Sequence, residues 1–182
     1  MLWHLRLNEN GIFFGVYSER QKYGVGGIYL TAKLCGLLPH RYCMQIRNGK
    51  NLARFYGPKR EKFLGALKSM MEAGVVCSLH SDAPSGPVGF EMIDGAVNRY
   101  DLRQGYQCDM SQAVTVLQAI RCCTYNAAYQ SYEEKIKGSI EVGKLADLII
   151  CDRDILAMDT HELHNVKVDL TMIDGKVEYQ RV

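Results

Sequence analysis

A chain of 182 residues, 47% hydrophobic and 23% charged, holds enough apolar material for one substantial core, which places it with globular rather than disordered or fibrous proteins. Its 22 Lys and Arg against 20 Asp and Glu leave a net charge of +2 scattered along the sequence, so no electrostatic footprint for nucleic acid or an anionic membrane is visible. No apolar run approaches the length of a membrane span, the start "MLWHLRLNENGIFF" lacks a signal-peptide pattern, and seven cysteines without a CxxC pair point to reduced thiols in a cytoplasmic protein.

In chain order, residues 1–55 are the least legible, with Gly and Tyr clusters such as "KYGVGGIYL" and no sustained period; a short helix is expected near 28–38. From Pro58 the pattern sharpens. "PKREKFLGALKSMMEAG" begins with a helix-compatible proline, places Phe63, Leu64, Leu67, Met70 and Met71 on one face, and stops at Gly74. "VVCSLH", residues 75–80, reads as a compact strand, and "SDAPSGP" as a Pro- and Gly-punctuated loop. Helix, glycine turn, strand and loop make half of a β/α repeat. A weaker helix covers "EMIDGAVNRY". A stronger one is expected over "CDMSQAVTVLQAIRCC", capped by Asp109 or Ser111 and burying Ala113, Val114, Leu117 and Ile120.

The tail changes character after the linker "SYEEKIKGSIEVGK". "ADLIICD" reads as a strand, and "VKVDLTMIDGKVEYQ" as two strands joined at Asp174-Gly175, a dipeptide that supplies the positive φ of a tight hairpin. Within the linker, "GSIEVGKL" has most of a phosphate loop, with Gly138, Gly143 and Lys144 at the right spacing. Leu145 stands where the pattern needs the Ser or Thr that holds magnesium, and the stretch runs into a strand rather than opening a helix. No nucleotide site is expected there.

The chemistry concentrates at His80 and Asp82. Strand side chains alternate, so the two point to one side at the carboxyl end of the strand, which in a β/α barrel is the reactive mouth. An Asp there can ligate a divalent metal and accept a proton from metal-bound water. Taken as a bare tetrapeptide, "SDAP" reads more readily as loop punctuation, with Ser81 or Asp82 capping the turn before Pro84. His161 and His164 in "THELHN" are one residue short of a zinc-protease spacing and read as a solvated polar turn. His4 and His40 stand alone, and no nucleophile elbow is present.

The ordered series "GVVCSLHSDAP", "GAVNRY", "AIRCCTYNAAY", "GSIEVGKLADLIICDRD" and "VDLTMIDGKVEY" resembles the carboxyl-terminal part of a metal-dependent amidohydrolase, closest to amidohydrolase family 3, from about Tyr56 to the end. The resemblance implies an α/β fold: residues 1–135 as the closing portion of a (β/α)8 TIM-like barrel, with 1–55 poorly assigned, and residues 136–182 as the carboxyl-terminal part of a composite β-sandwich. "GSIEVGKLADL" then becomes the return from barrel to sandwich. The implied activity is hydrolysis of non-peptide carbon–nitrogen bonds in a small amide-type substrate, with a divalent metal, Zn2+ by preference. Asp82 matches the family's metal-binding, proton-carrying Asp. His80 and Arg99 are secondary candidates for substrate contact or support of the site.

The family's His-x-His strand and its further single histidines have no counterpart here, and about 135 residues precede the tail where a complete barrel takes about 250. A fragment of the usual architecture is therefore expected, holding zinc at low occupancy and prone to self-association or to pairing with the missing barrel half. The alternative to a hydrolase is a non-catalytic remnant serving as an interaction or oligomerisation module.

Overall fold

The computed structural model describes residues 4–8, 11–15, 40–63, 65–79 and 89–182. Two strands, β1 (His4–Asn8) and β2 (Gly11–Gly15), form an antiparallel hairpin, and α1 (His40–Tyr56) follows. Sequence periodicity gives no sign of α1. The helix expected over 28–38 falls outside the described residues, as do His80 and Asp82.

α1 departs from helical geometry at Asn48, where φ is −155°. The break is stabilised from outside. The Asp101 carboxylate accepts the Lys50 backbone N–H at 3.3 Å, and Gly49 lets the neighbouring hairpin come so close that a Cβ there would lie 2.5 Å from Cys108 Sγ. A buried carboxylate receiving an otherwise orphan helical N–H is a cap supplied by a distant residue.

The helix expected over 58–73 divides into α2 (Pro58–Glu61) and α3 (Leu67–Glu72). Gly65 between them takes φ 77°, and its carbonyl accepts from the Arg99 guanidinium at 3.2 Å, so a tertiary contact overrides the helical period. The stop at Gly74 is as expected: it takes φ 80° and returns its N–H to Met71.

Residues 75–79, buried except for the half-buried Val76, join no β-ladder among the described residues, which corrects the expected strand. Their polar groups bond to helices instead. Val75 N–H donates to the Met70 carbonyl at 3.0 Å and Leu79 N–H to the Cys122 carbonyl at 3.3 Å, while Asn126 Nδ2 donates to the Cys77 carbonyl at 2.8 Å. A parallel strand needs a strand neighbour, and the described part of the chain offers it helices.

α4 (Phe90–Asn98) buries Phe90, Ile93, Ala96 and Val97, one helical stripe, and ends at Arg99, whose φ of 49° is a left-handed stop. Each of the three large side chains contributes roughly 1.5–3 kcal/mol by leaving water. β3 (Tyr100–Asp101) and β4 (Tyr106–Gln107) form a minimal hairpin.

The single helix expected over 108–123 is corrected in its first half. Asp109 caps only a 3₁₀ turn, Met110–Gln112, and α5 (Val116–Cys123) starts afresh with a capping box between Thr115 and Gln118. The later start rotates the buried face to Ala119 and Cys122, leaving Leu117 63% exposed. α6 (Tyr125–Gln130) follows directly.

The tail is an antiparallel sheet in the order β5 (Leu148–Cys151), β6 (Val168–Ile173), β7 (Lys176–Gln180). Asp174 and Gly175 turn β6 into β7 with φ 50° and 76°, as the dipeptide predicts. A second 3₁₀ turn, Thr160–Asn165, connects β5 to β6 and inserts the fully buried Leu163 into the core beside Val166. That core gathers α3, residues 75–79, α4, α5 and this turn. Among the described residues no helix is long and apolar enough to cross a membrane.

Candidate functional site

Leu79, 6% exposed and bonded to α5, is the last described residue before His80 and Asp82, so the chain entering that loop is anchored to the core. His80 and Asp82 themselves lie outside the described residues. Arg99 does not: its side chain is fully buried. Nε donates to the Asp109 carbonyl, one terminal nitrogen donates to the Gly65 carbonyl, and the other lies 3.7 Å from a Glu61 carboxylate oxygen. Glu61 in turn accepts the Asp109 backbone N–H at 3.1 Å. One guanidinium thus fastens α2, the Gly65 bend, the end of α4 and the start of the first 3₁₀ turn.

Cys108 completes this cluster. Burial first, and then the Glu61 carboxylate beside it, push its thiol up to about 12, so it stays protonated and unreactive at neutral pH. Asp101, fully buried, accepts from Arg103 N–H and Gln104 N–H at 3.0 Å each as well as from Lys50. Sequence reasoning singled out Arg99 but missed Glu61 and Asp101, because no local spacing links residues that the fold brings together across 38 and more positions.

A second polar node joins α4 to the later 3₁₀ turn. Asp94, 3% exposed, meets His164 Nδ1 at 2.6 Å and accepts from Asn98 Nδ2 at 2.7 Å; the same Asn98 amide donates to the Thr160 carbonyl at 2.7 Å. His164 keeps 27% of its side chain exposed. Nearby, His161 and Thr160 line an open cleft of about 760 Å³ with Asn98, Gln118 and Lys68. "THELHN" is a polar turn with His161, Glu162 and Asn165 exposed as expected, anchored by the buried Leu163 and by the Asp94 contact of His164.

In "GSIEVGKL", Lys144 pairs with Glu141 at 3.5 Å, donates to Ser139 Oγ and lies 5.7 Å from the centre of the Tyr125 ring. Ser139 first and Lys144 second hold the Glu141 carboxyl below its ordinary range. Gly138 takes φ 92° where a Cβ would lie 2.7 Å from Ala128 Cβ, and Gly143 takes the same φ in the turn before β5. The glycines serve a close approach and a turn, and the lysine is committed to its own loop.

Among the described residues no three His, Cys, Asp or Glu side chains gather to hold a metal ion. Comparison with known proteins supplies what that geometry does not. The model of the amidohydrolase family matches residues 32–179. The chain belongs to the amidohydrolase family. An N-substituted formamide deformylase of Arthrobacter pascens is 39% identical over 116 residues, 63% of this chain and 21% of that protein. YtcJ of Bacillus subtilis (strain 168) is 32% identical over 128 residues, 69% of this chain and 24% of YtcJ. The amidohydrolase of Thermotoga maritima MSB8, a solved structure, aligns with 79% of this chain and 36% of its own, at 22% identity and a TM-score of 0.44. This amidohydrolase chain thus spans less than a quarter of the length of those two curated relatives.

Proposed function

We propose that this chain is the closing part of a hydrolase acting on carbon–nitrogen bonds other than peptide bonds, with a small amide-type molecule as substrate. The observation that carries the reading is the family match across residues 32–179, supported by a formamide deformylase among the relatives. In this reading residues 1–135 supply the last barrel repeats, 136–182 supply the carboxyl-terminal part of the composite sandwich, and the molecule is cytoplasmic, in keeping with free cysteines at 77, 108, 122, 123 and 151.

Asp82 is the proton carrier. Its carboxylate takes a proton as the attacking oxygen adds to the carbonyl carbon, then returns it to the leaving nitrogen. His80 is the secondary candidate by its position in the sequence, and Arg99, sealed among Glu61, Gly65 and Asp109, supports the shape of the site from within the core. The divalent metal that the family implies, zinc by preference, would find Asp82 and His80 as its candidates here. Two residues fall short of the three protein ligands of a catalytic zinc site, and the described residues add no cluster to complete it. Partnership with a segment that brings the missing histidines follows.

The test compares the 182-residue chain, alone and joined to a barrel half carrying those histidines, in hydrolysis of an N-substituted formamide. The chain alone is expected to be inactive. In the joined form Asp82→Asn should keep the fold and cost about 10²- to 10⁴-fold in turnover. Turnover by the isolated chain that ignores both Asp82→Asn and chelators would sink the assignment.

A second reading, a non-catalytic interaction module, draws on exposed apolar side chains. Ile140 and Val142 of the linker are 87% and 109% exposed, and Ile149, Ile150 and Val177 of the sheet more than half. An inactive joined form that still binds a barrel half would favour it.

A further inference from the structure

The turn Thr160–Asn165 places two imidazoles in a relation that the spacing alone does not reveal. Three residues apart is an imperfect match on an α-helix, but a 3₁₀ helix has three residues per turn, so positions i and i+3 eclipse, about 6 Å apart along the axis. His161 and His164 occupy that relation within one continuous 3₁₀ turn. We propose that these two side chains form a chelate for a borderline divalent cation of the Zn2+, Ni2+ and Cu2+ group.

The support behind His164 is of the kind metal-binding histidines have. Its Nδ1 is held at 2.6 Å by the buried Asp94 carboxylate, which leaves Nε2 as the nitrogen free to face a cation. A carboxylate behind a ligating imidazole fixes the ring and raises its basicity. Asp94 is itself fixed by Asn98, and the other hydrogen of that amide goes to the Thr160 carbonyl at the start of the turn. The pair is therefore preorganised on one side by a buried amide–carboxylate relay running from α4.

His161 supplies the mobile side. Its backbone N–H is taken by Asp159, the cap of the turn, while its ring lines the open cleft and makes no hydrogen bond among the described residues. Metal–nitrogen bonds of about 2.0–2.1 Å let a cation bridge two eclipsed imidazoles with modest ring rotation. Nitrogen ligands favour the borderline cations and give nothing to Mg2+ or Ca2+, which take oxygen. Asp94 is committed to His164 Nδ1 and no metal-holding group of three gathers among the described residues, so water fills the remaining positions and affinity stays that of a two-ligand site.

The existence of this site does not depend on the proposed hydrolase. The test titrates the full 182-residue chain with Ni2+ by calorimetry and with Cu2+ by electron paramagnetic resonance, whose fine splitting counts ligated nitrogens. The expected result is one cation per chain with two equivalent nitrogens. His161→Ala, an exposed change that leaves the Asp94–His164 contact in place, should weaken Ni2+ about tenfold and reduce the Cu2+ pattern to one nitrogen. Asp94→Asn should weaken binding about 10- to 100-fold while both histidines remain. A Ni2+ isotherm unchanged by His161→Ala, or a two-nitrogen Cu2+ pattern that survives it, would place the cation on His4, His40 or His80 and overturn the proposal.

Discussion

The helical layer between residues 40 and 130 and the sheet of β5, β6 and β7 solve opposite problems. In the helical layer charged groups are sealed inside: Arg99 and Asp101 are fully buried and Glu61 is 2% exposed, each with fixed partners. In the sheet apolar groups face outward. Directly opposed residues share a side, so Leu148, Met172 and Val177 form one row and Ile150 and Leu170 another, with Ile150 and Val177 55% and 52% exposed. The first region is held by specific polar geometry and should be intolerant of change. The second is held largely by backbone pairing and should accept substitution with little effect.

The sharpest way to break that contrast is Arg99→Ala. Removing the guanidinium leaves the Glu61 carboxylate buried without its counter-charge, a change that costs about 3–5 kcal/mol, and urea unfolding should show a correspondingly lower midpoint. Adding Glu61→Gln to that variant should recover part of the loss, because the orphaned charge is gone. A midpoint unmoved by Arg99→Ala would mean the cluster is not what holds the layer together.

Gly49→Ala probes the same layer more gently. The new Cβ would meet Cys108 Sγ at 2.5 Å, and such overpacking costs about 1–3 kcal/mol. Cys108→Ala combined with it should relieve the clash, giving a coupling that a double-mutant cycle measures directly. Independent, additive effects would show that the hairpin and α1 do not touch there. On the sheet, Ile150→Thr should move the midpoint by no more than about 0.5 kcal/mol, the range of ordinary surface changes. A larger loss would mean that this side of the sheet is covered in solution.

How much of this the amino-acid sequence discloses follows the same division. The tail was legible because its signals are local: an apolar β-rich run in "LIIC", alternation in "VDLTM", and a turn at Asp174-Gly175 that takes a left-handed backbone. The stop at Gly74 was legible for the same reason, whereas the helix expected over 91–100 ends early, at Asn98, because Arg99 turns left-handed and Tyr100 enters β3. The helical layer misled where distant residues decide local structure. Arg99 fastens Gly65 and so bends an amphipathic run into α2 and α3, while Asp101 reaches back 51 positions to the break in α1. Leu117 was expected inside because periodicity cannot foresee a helix restarting at Thr115. In the candidate site, Asp82 was singled out in sequence and lies outside the described residues, whereas the Asp94–His164 contact spans 70 positions and left no mark in sequence.

The irregular pairing at the outer edge of the sheet bears on how the chain behaves in a crowd of its own kind. Thr171 faces Tyr179 and Met172 faces Val177, so Glu178 is an extra residue that bulges β7, flanked by Lys176 and Arg181. Fibril growth needs a flat edge with evenly spaced amides and no charge to bury. A bulged edge studded with charges offers neither, and so β7 is a poor template on which further copies could stack.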